Sequence, residues 1–142
     1  MRNSELKWLV GYELAEDLSL EIVTKEGNSL FKSKGKWLYP LLEVEQFLQK
    51  EDLDPKQLIL IDRVAGKAAA ALAIRLGFKN VKIYLMSRLA EDLYKKYGVS
   101  YIAEEIVDAI GCRTEHWLLE EGDLEKIYAF ILERAQLSKQ KA

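Results

Sequence analysis

Residues 58–77 read LILIDRVAGKAAAALAIRLG, and the fold turns on how this stretch divides. Four consecutive apolar residues, Leu58 to Ile61, stop at Asp62, which is the pattern of a strand covered on both faces. Lys67 to Leu76 is alanine-rich and predicts a helix, with Gly77 as its C-terminal stop. A strand feeding a helix is the first half of a parallel crossover. One residue is out of place. Lys67 opens the predicted helix, where the macrodipole disfavours a cation. Either it faces a ligand, or it returns to Asp62 as an ion pair on a solvated corner.

Downstream the pattern repeats. VKIYLM (81–86) predicts a strand, Ser87 can cap the helix RLAEDLYKKYG, Gly98 stops it, and VSYIA (99–103) predicts the next strand. Residues 104–121 read as a short helix or a loop. Residues 124–137 read as a helix capped by Asp123, with a stripe of Leu124, Ile127, Tyr128, Ile131, Leu132 and Ala135. Upstream, Leu6, Leu9, Val10 and Leu14 predict an amphipathic helix over 4–16 with Ser4 as cap. LSLEIVT (18–24), with Leu18, Leu20 and Ile22 pointing one way, predicts a strand. The turn KEGNS and the strand LFKS would complete a hairpin. Residues 37–50 predict a helix with Pro40 in its first turn and Leu41, Leu42, Val44, Phe47 and Leu48 buried. The expected fold class is α/β: a three-layer α/β/α sandwich around a five-stranded mixed sheet, with helices on both faces. Residues 1–137 form one domain and 138–142 a polar tail.

Bulk composition agrees with a globular domain. The chain has 142 residues, 49% apolar and 31% charged, ordinary values that give no sign of disorder. A net charge of −2 supplies no general attraction to nucleic acid or to an anionic membrane. No apolar run is long enough to span a bilayer, and no signal-like segment opens the chain. Cys112 is the only cysteine, so no intramolecular disulfide can form. The expectation is a reduced, cytoplasmic protein, with a homodimer compatible with this reading.

Ligands of open α/β sheets bind beyond the carboxyl ends of the strands. Asp62, Arg63, Gly66, Lys67 and Ala68 would lie at such an end. The first helical turn there offers N–H groups to an anion, and Gly66 permits close approach. Ala68 to Ala71 let the helix sit close to the sheet or leave room above it. The stretch is not a nucleotide-triphosphate loop. Ile61 stands where that motif has its first glycine, and Ala68 where it has a hydroxyl. Ser87 and Arg88 repeat the geometry one crossover later. Adjacent parallel strands would bring both corners to one rim, suited to a small anionic molecule. Cys112 and His116 are four apart, either as an activated thiolate pair or as a buried cysteine and an exposed histidine. They do not complete a metal site, although Glu115, Glu120 or Glu121 could add oxygens, and no cofactor is implied. Trp8, Trp37 and Trp117 are scattered and read as packing residues, the run AEEIVD as a solvated face.

KGKWLYPLLE, DRVAGKAAAAL and YLMSRLAEDLYKKYGVSY resemble a prokaryotic family known as domain of unknown function 1893. The likeness covers roughly residues 14–110. Asp62 through Ala70 is its most specific block, and Gly35, Pro40 and Leu41 match a weaker pattern. The resemblance implies a cytidine deaminase-like fold whose site lies at the N-termini of two helices, here Ala65–Lys67 and Ser87–Arg88. True deaminases carry a His or Cys ligand and a catalytic Glu on the first helix, and a Pro-Cys-x-x-Cys pair on the second. This chain has neither, so zinc-dependent deamination is not expected of it. It also departs from relatives near its end. They tend to carry Cys-Pro-x-Glu where this chain reads TEHWLLEEG, with Trp117 and Leu118 in place of the Cys-Pro pair and Glu120 kept. The expected function is small-molecule binding, with a nucleotide or phosphorylated metabolite as ligand. The alternatives are a non-catalytic protein–protein interaction module, or an enzyme using Cys112 and His116.

Overall fold

The computed structural model describes residues 6–110 and 118–141. Its elements in chain order are α1 (Lys7–Val10), β1 (Leu20–Thr24), β2 (Ser29–Ser33), α2 (Tyr39–Glu51), β3 (Leu58–Ala65), α3 (Lys67–Leu76), β4 (Asn80–Ser87), α4 (Arg88–Lys96), β5 (Ser100–Val107) and α5 (Leu124–Lys141). The sheet has the order β2-β1-β3-β4-β5. The hairpin partner β2 and the central strand β3 both run antiparallel to β1, whereas β3, β4 and β5 are parallel. This is the mixed five-stranded α/β sheet expected from the sequence.

Both parallel crossovers step the same way across the sheet. Each is right-handed by the steric rule for twisted strands, so α3 and α4 share one face. The two remaining long helices join them. One apolar cluster links Leu41 and Val44 of α2, Leu93 of α4 and Ile127 of α5 to Leu60 and Ile83 of the sheet. α3 lies at its centre, in contact with α2, α4 and α5. Its alanines, Ala68 to Ala71 and Ala73, are almost wholly buried. Their small side chains therefore let three helices close around a fourth, and leave no room above it. Gly77 ends α3 at φ +106°, a left-handed conformation, and a Cβ there would meet Pro55 at 3.1 Å.

The opposite face departs from expectation. It is covered by residues 6–18, of which only α1 is helical, and not by paired helices. Leu6, Leu9, Leu14 and Leu18 pack there on Val23, Ile59 and Ile61. Leu18 thus belongs to this cluster, away from Leu20 and Ile22. The predicted helix over 4–16 shrinks to one turn because the sheet claims its backbone. Lys82 Nζ donates to the carbonyls of Leu9, Val10 and Tyr12 at 2.9, 3.0 and 2.6 Å. Tyr84 donates to Tyr12 O and accepts from Leu14 N. Arg63 donates to Leu18 O and Ala15 O. An irregular segment lying on a sheet must find partners for its carbonyls, and these three side chains supply them. Tyr12 in turn donates to the buried carboxylate of Glu21 at 2.6 Å.

Two strands outrun their apolar residues. β3 continues through Ala65, so Asp62 lies within the strand and not at its end. β5 continues through Val107, so the run AEEIVD is mostly strand, with Glu104 and Glu105 exposed. Asp123 caps α5 as expected, accepting from Lys126 N at 3.0 Å. Trp8 donates to Lys25 O, and Trp37 stacks edge-on to Tyr39 while remaining partly exposed. Ser4, Cys112, Glu115, His116 and Trp117 lie outside the described residues.

Replacing Lys82 with methionine keeps the volume and removes the ammonium from three carbonyls, of which Leu9 O retains the Tyr12 N–H and Tyr12 O the Tyr84 hydroxyl. We expect a loss on the order of 2–4 kcal/mol, read from the urea midpoint. Limited proteolysis should then cut first within residues 11–18.

Candidate functional site

The parallel register fixes the site. Val64 pairs with Leu85 and Ala65 with Met86, so Gly66 and Ser87 leave the sheet side by side. The two corners expected from the sequence therefore meet at one rim. They differ in how their helix ends are finished. Ser87 is fully buried, and its Oγ accepts from Ala90 N at 3.1 Å, capping α4. α3 has Gly66 as N-cap and no side-chain cap. Gly66 is extended at φ −97°, a conformation open to any residue. The first turn of α3, at Lys67 and Ala68, carries N–H groups that have no acceptor within the helix.

The predicted site residues separate on the structure. Gly66, Lys67, Ala68, Ser87 and Arg88 gather at the rim. Asp62 lies behind it on β3. Arg63 alternates to the opposite face, where its guanidinium lies 5.5 Å from the centre of the Tyr84 ring and holds the N-terminal segment. It is a structural clamp beneath the sheet and leaves the rim set.

Lys67 answers for its odd position. It is buried, and Nζ donates to Leu119 O at 3.0 Å, within the turn that precedes α5. The alternative ion pair with Asp62 does not form: the cation acting on Asp62 is Arg63. A lysine at a helix N-terminus is tolerable when a carbonyl dipole neutralises it, and here that carbonyl comes from 52 residues away. Arg88 is exposed and pairs with Asp108 at 2.9 Å.

Asp62 is the unusual group. Asp62 is half-buried and, by strand alternation opposite to Arg63, faces the helix side of the sheet. Burial pushes its pKa up from 3.8 to about 7, against the weaker pull of the Val64 and Arg63 N–H groups and the Arg63 charge. Its charge is felt by Tyr94 of α4, whose own pKa is raised by burial first and by Asp62 second. Tyr94 lies in the buried stripe of α4 with Ala90 and Leu93, the spacing of core packing. Leu119 and Asp108, which engage the two rim cations, carry no sequence signal at all.

Together these features define an α/β protein with parallel crossovers on one face and paired helix N-termini at a single rim. The family model described as "Domain of unknown function (DUF1893)" matches residues 13–134, and the chain belongs to that family. A crystal structure of a DUF1893 family protein from Thermotoga maritima is similar over most of both chains. It covers 94% of this chain and 92% of its own, with a TM-score of 0.78 and 25% sequence identity. No curated protein matches. Among the described residues, no helix is long and apolar enough to cross a membrane.

Asp62 makes stability depend on pH in a direction opposite to that of an ordinary paired carboxylate. Between about pH 4 and 7 the folded state keeps a proton that the unfolded chain has released. The unfolded state then binds fewer protons, and stability falls as pH rises through this window. Asp62→Asn should remove that component. The difference between wild-type and variant urea midpoints should therefore grow from pH 4.5 to 7.5.

Proposed function

We propose that this chain is a small-molecule-binding protein whose ligand sits at the rim where β3 and β4 end and α3 and α4 begin. One observation carries the reading: two helix N-termini leave adjacent parallel strands side by side, and one of them has no side-chain cap. Such an end favours an anion, through its N–H groups and the positive pole of the dipole. The ligand class is a small anionic molecule, a nucleotide or phosphorylated metabolite, with Gly66, Lys67, Ala68, Ser87 and Arg88 around it. The three-layer, cytidine deaminase-like description of the fold belongs to the same proposal. It is supported by the site's position at two successive strand–helix corners. No zinc chemistry accompanies it, since the corner residues Ala65–Lys67 and Ser87–Arg88 include no zinc ligand.

A second reading has its own observation. Lys67 is engaged by Leu119 O and Arg88 by Asp108, so both rim cations serve the fold itself. Under that reading the corners are purely structural, and the protein is a non-catalytic interaction module. The enzyme alternative rests on Cys112 and His116, outside the described residues.

Thermal-shift screening against nucleotides and phosphorylated metabolites separates the two. A ligand at a hundredfold excess over Kd adds about 2.7 kcal/mol to stability. Arg88→Ala removes an exposed pair and should leave the free protein within about 1 kcal/mol of wild type while weakening the shift. A screen with no shift, or a shift untouched by Arg88→Ala, favours the interaction module.

A further inference from the structure

Helices α2 and α5 both pack on α3 and leave a cleft between themselves. They run antiparallel, and two tyrosine hydroxyls bridge them. Tyr39, at the start of α2, donates to Ala135 O at 3.4 Å, and Tyr128 of α5 donates to Glu45 Oε1 at 2.6 Å. On α2 the bridges stand at positions 39 and 45, on α5 at positions 135 and 128, about 10 Å apart at the helical rise. The cleft that both helices line holds about 500 Å³, the size of an ordinary small-molecule pocket. It shares no residue with the rim.

Helical spacing builds the walls. Tyr39, Leu42 and Glu43 stand three and four apart on α2, and Tyr128 and Leu132 four apart on α5, so each set presents one face to the cleft. The tyrosines and leucines among them are half-buried. The charge is one-sided: Glu43 and Glu45 line the cleft, and no lysine or arginine does. Glu45 is engaged by Arg75 at 2.6 Å as well as by Tyr128. Glu43 is exposed and, among the described residues, makes no ion pair or hydrogen bond. Arg75 lies over the Tyr128 ring, 3.5 Å from its centre, yet does not line the cleft, so it covers the side of the ring turned away. The Tyr128 end therefore has its cation already. The Tyr39–Glu43 end offers a ring beside a carboxylate with no ion pair.

We propose that this cleft binds a small organic cation, an aromatic body carrying a protonated amine. The body lies between Leu42 and Leu132. The ammonium lies at the mouth, against the Glu43 carboxylate and the Tyr39 ring, where ion pairing and the ring quadrupole act together. The two bridges set the length of the guest at about 10 Å, which suits a small molecule. A docked helix is excluded, since its anchors at i and i+7 alone span that distance. The ligand is opposite in charge to the one proposed for the rim, and the two sites stand or fall separately.

The test titrates the full chain with 2-phenylethylamine at millimolar concentration, followed by NMR. Amide signals of residues 39–46 and 128–136 should shift, as should the indole of Trp37, which stacks edge-on to Tyr39. 2-Phenylethanol, of the same shape without the charge, and 3-phenylpropionate, of the opposite charge, should bind more weakly. Glu43→Gln should melt at the wild-type temperature, bind the amine about threefold more weakly, as an exposed ion pair is worth, and lose the preference for amine over alcohol. Leu132→Trp fills the cleft and should abolish binding; where that variant does not fold, Glu43→Gln decides. Three results overturn the proposal: no shifts in these two stretches, an alcohol or acid bound as tightly as the amine, or a Glu43→Gln variant that binds the amine like wild type. A fourth is movement of the same signals on dilution alone as a dimer dissociates, which would make the cleft an interface between two copies of the chain.

Discussion

The parallel ladder between β3 and β4 is the constraint on which the rest of the molecule depends. Its register, with Ala65 beside Met86, sets Gly66 next to Ser87. The handedness of the two crossovers then leaves α3 and α4 no choice of face. Once both helices lie on one side, α3 is crowded by neighbours, and only small side chains let them approach. The alanine run is thus a packing requirement first. The flank of α3 is closed, because α2, α4 and α5 pack around it.

A one-sided arrangement leaves the other face of the sheet to be covered by whatever chain remains. Residues 6–18 do this with four leucines and little regular structure. Apolar contact alone would bury carbonyls that no helix satisfies, at a cost that only hydrogen bonds offset. The sheet therefore turns three long polar side chains, Arg63, Lys82 and Tyr84, toward that face. Lys82 is the extreme case, fully buried, with three carbonyls on its ammonium and Glu104 at 3.8 Å. Arg63 belongs to the same group. Its neighbourhood to Asp62 in sequence hides the fact that strand alternation sends the two side chains to opposite faces.

That alternation explains what could be read in the sequence and what could not. The five strands, the hairpin and the long helices followed from period and punctuation. So did the meeting of the two corners, since adjacent crossovers bring successive strand ends together. Strand ends did not follow. Asp62 interrupts an apolar run, and Glu104 and Glu105 interrupt another, yet both strands continue because the ladder with β4 gives their backbones partners. The N-terminal helix failed for a related reason: apolar spacing at 6, 9, 10 and 14 was satisfied by one turn plus an irregular segment once Lys82 and Tyr84 took its carbonyls and amide.

Lys67 shows how a single anomaly can have two causes. Its cation is placed where the helix dipole opposes it, and the Leu119 carbonyl offsets that opposition by drawing the turn before α5 onto the end of α3. The same bond ties α5, which packs along α3, to the rim. A lysine in this position is therefore needed to close the helical layer, whether or not a ligand binds.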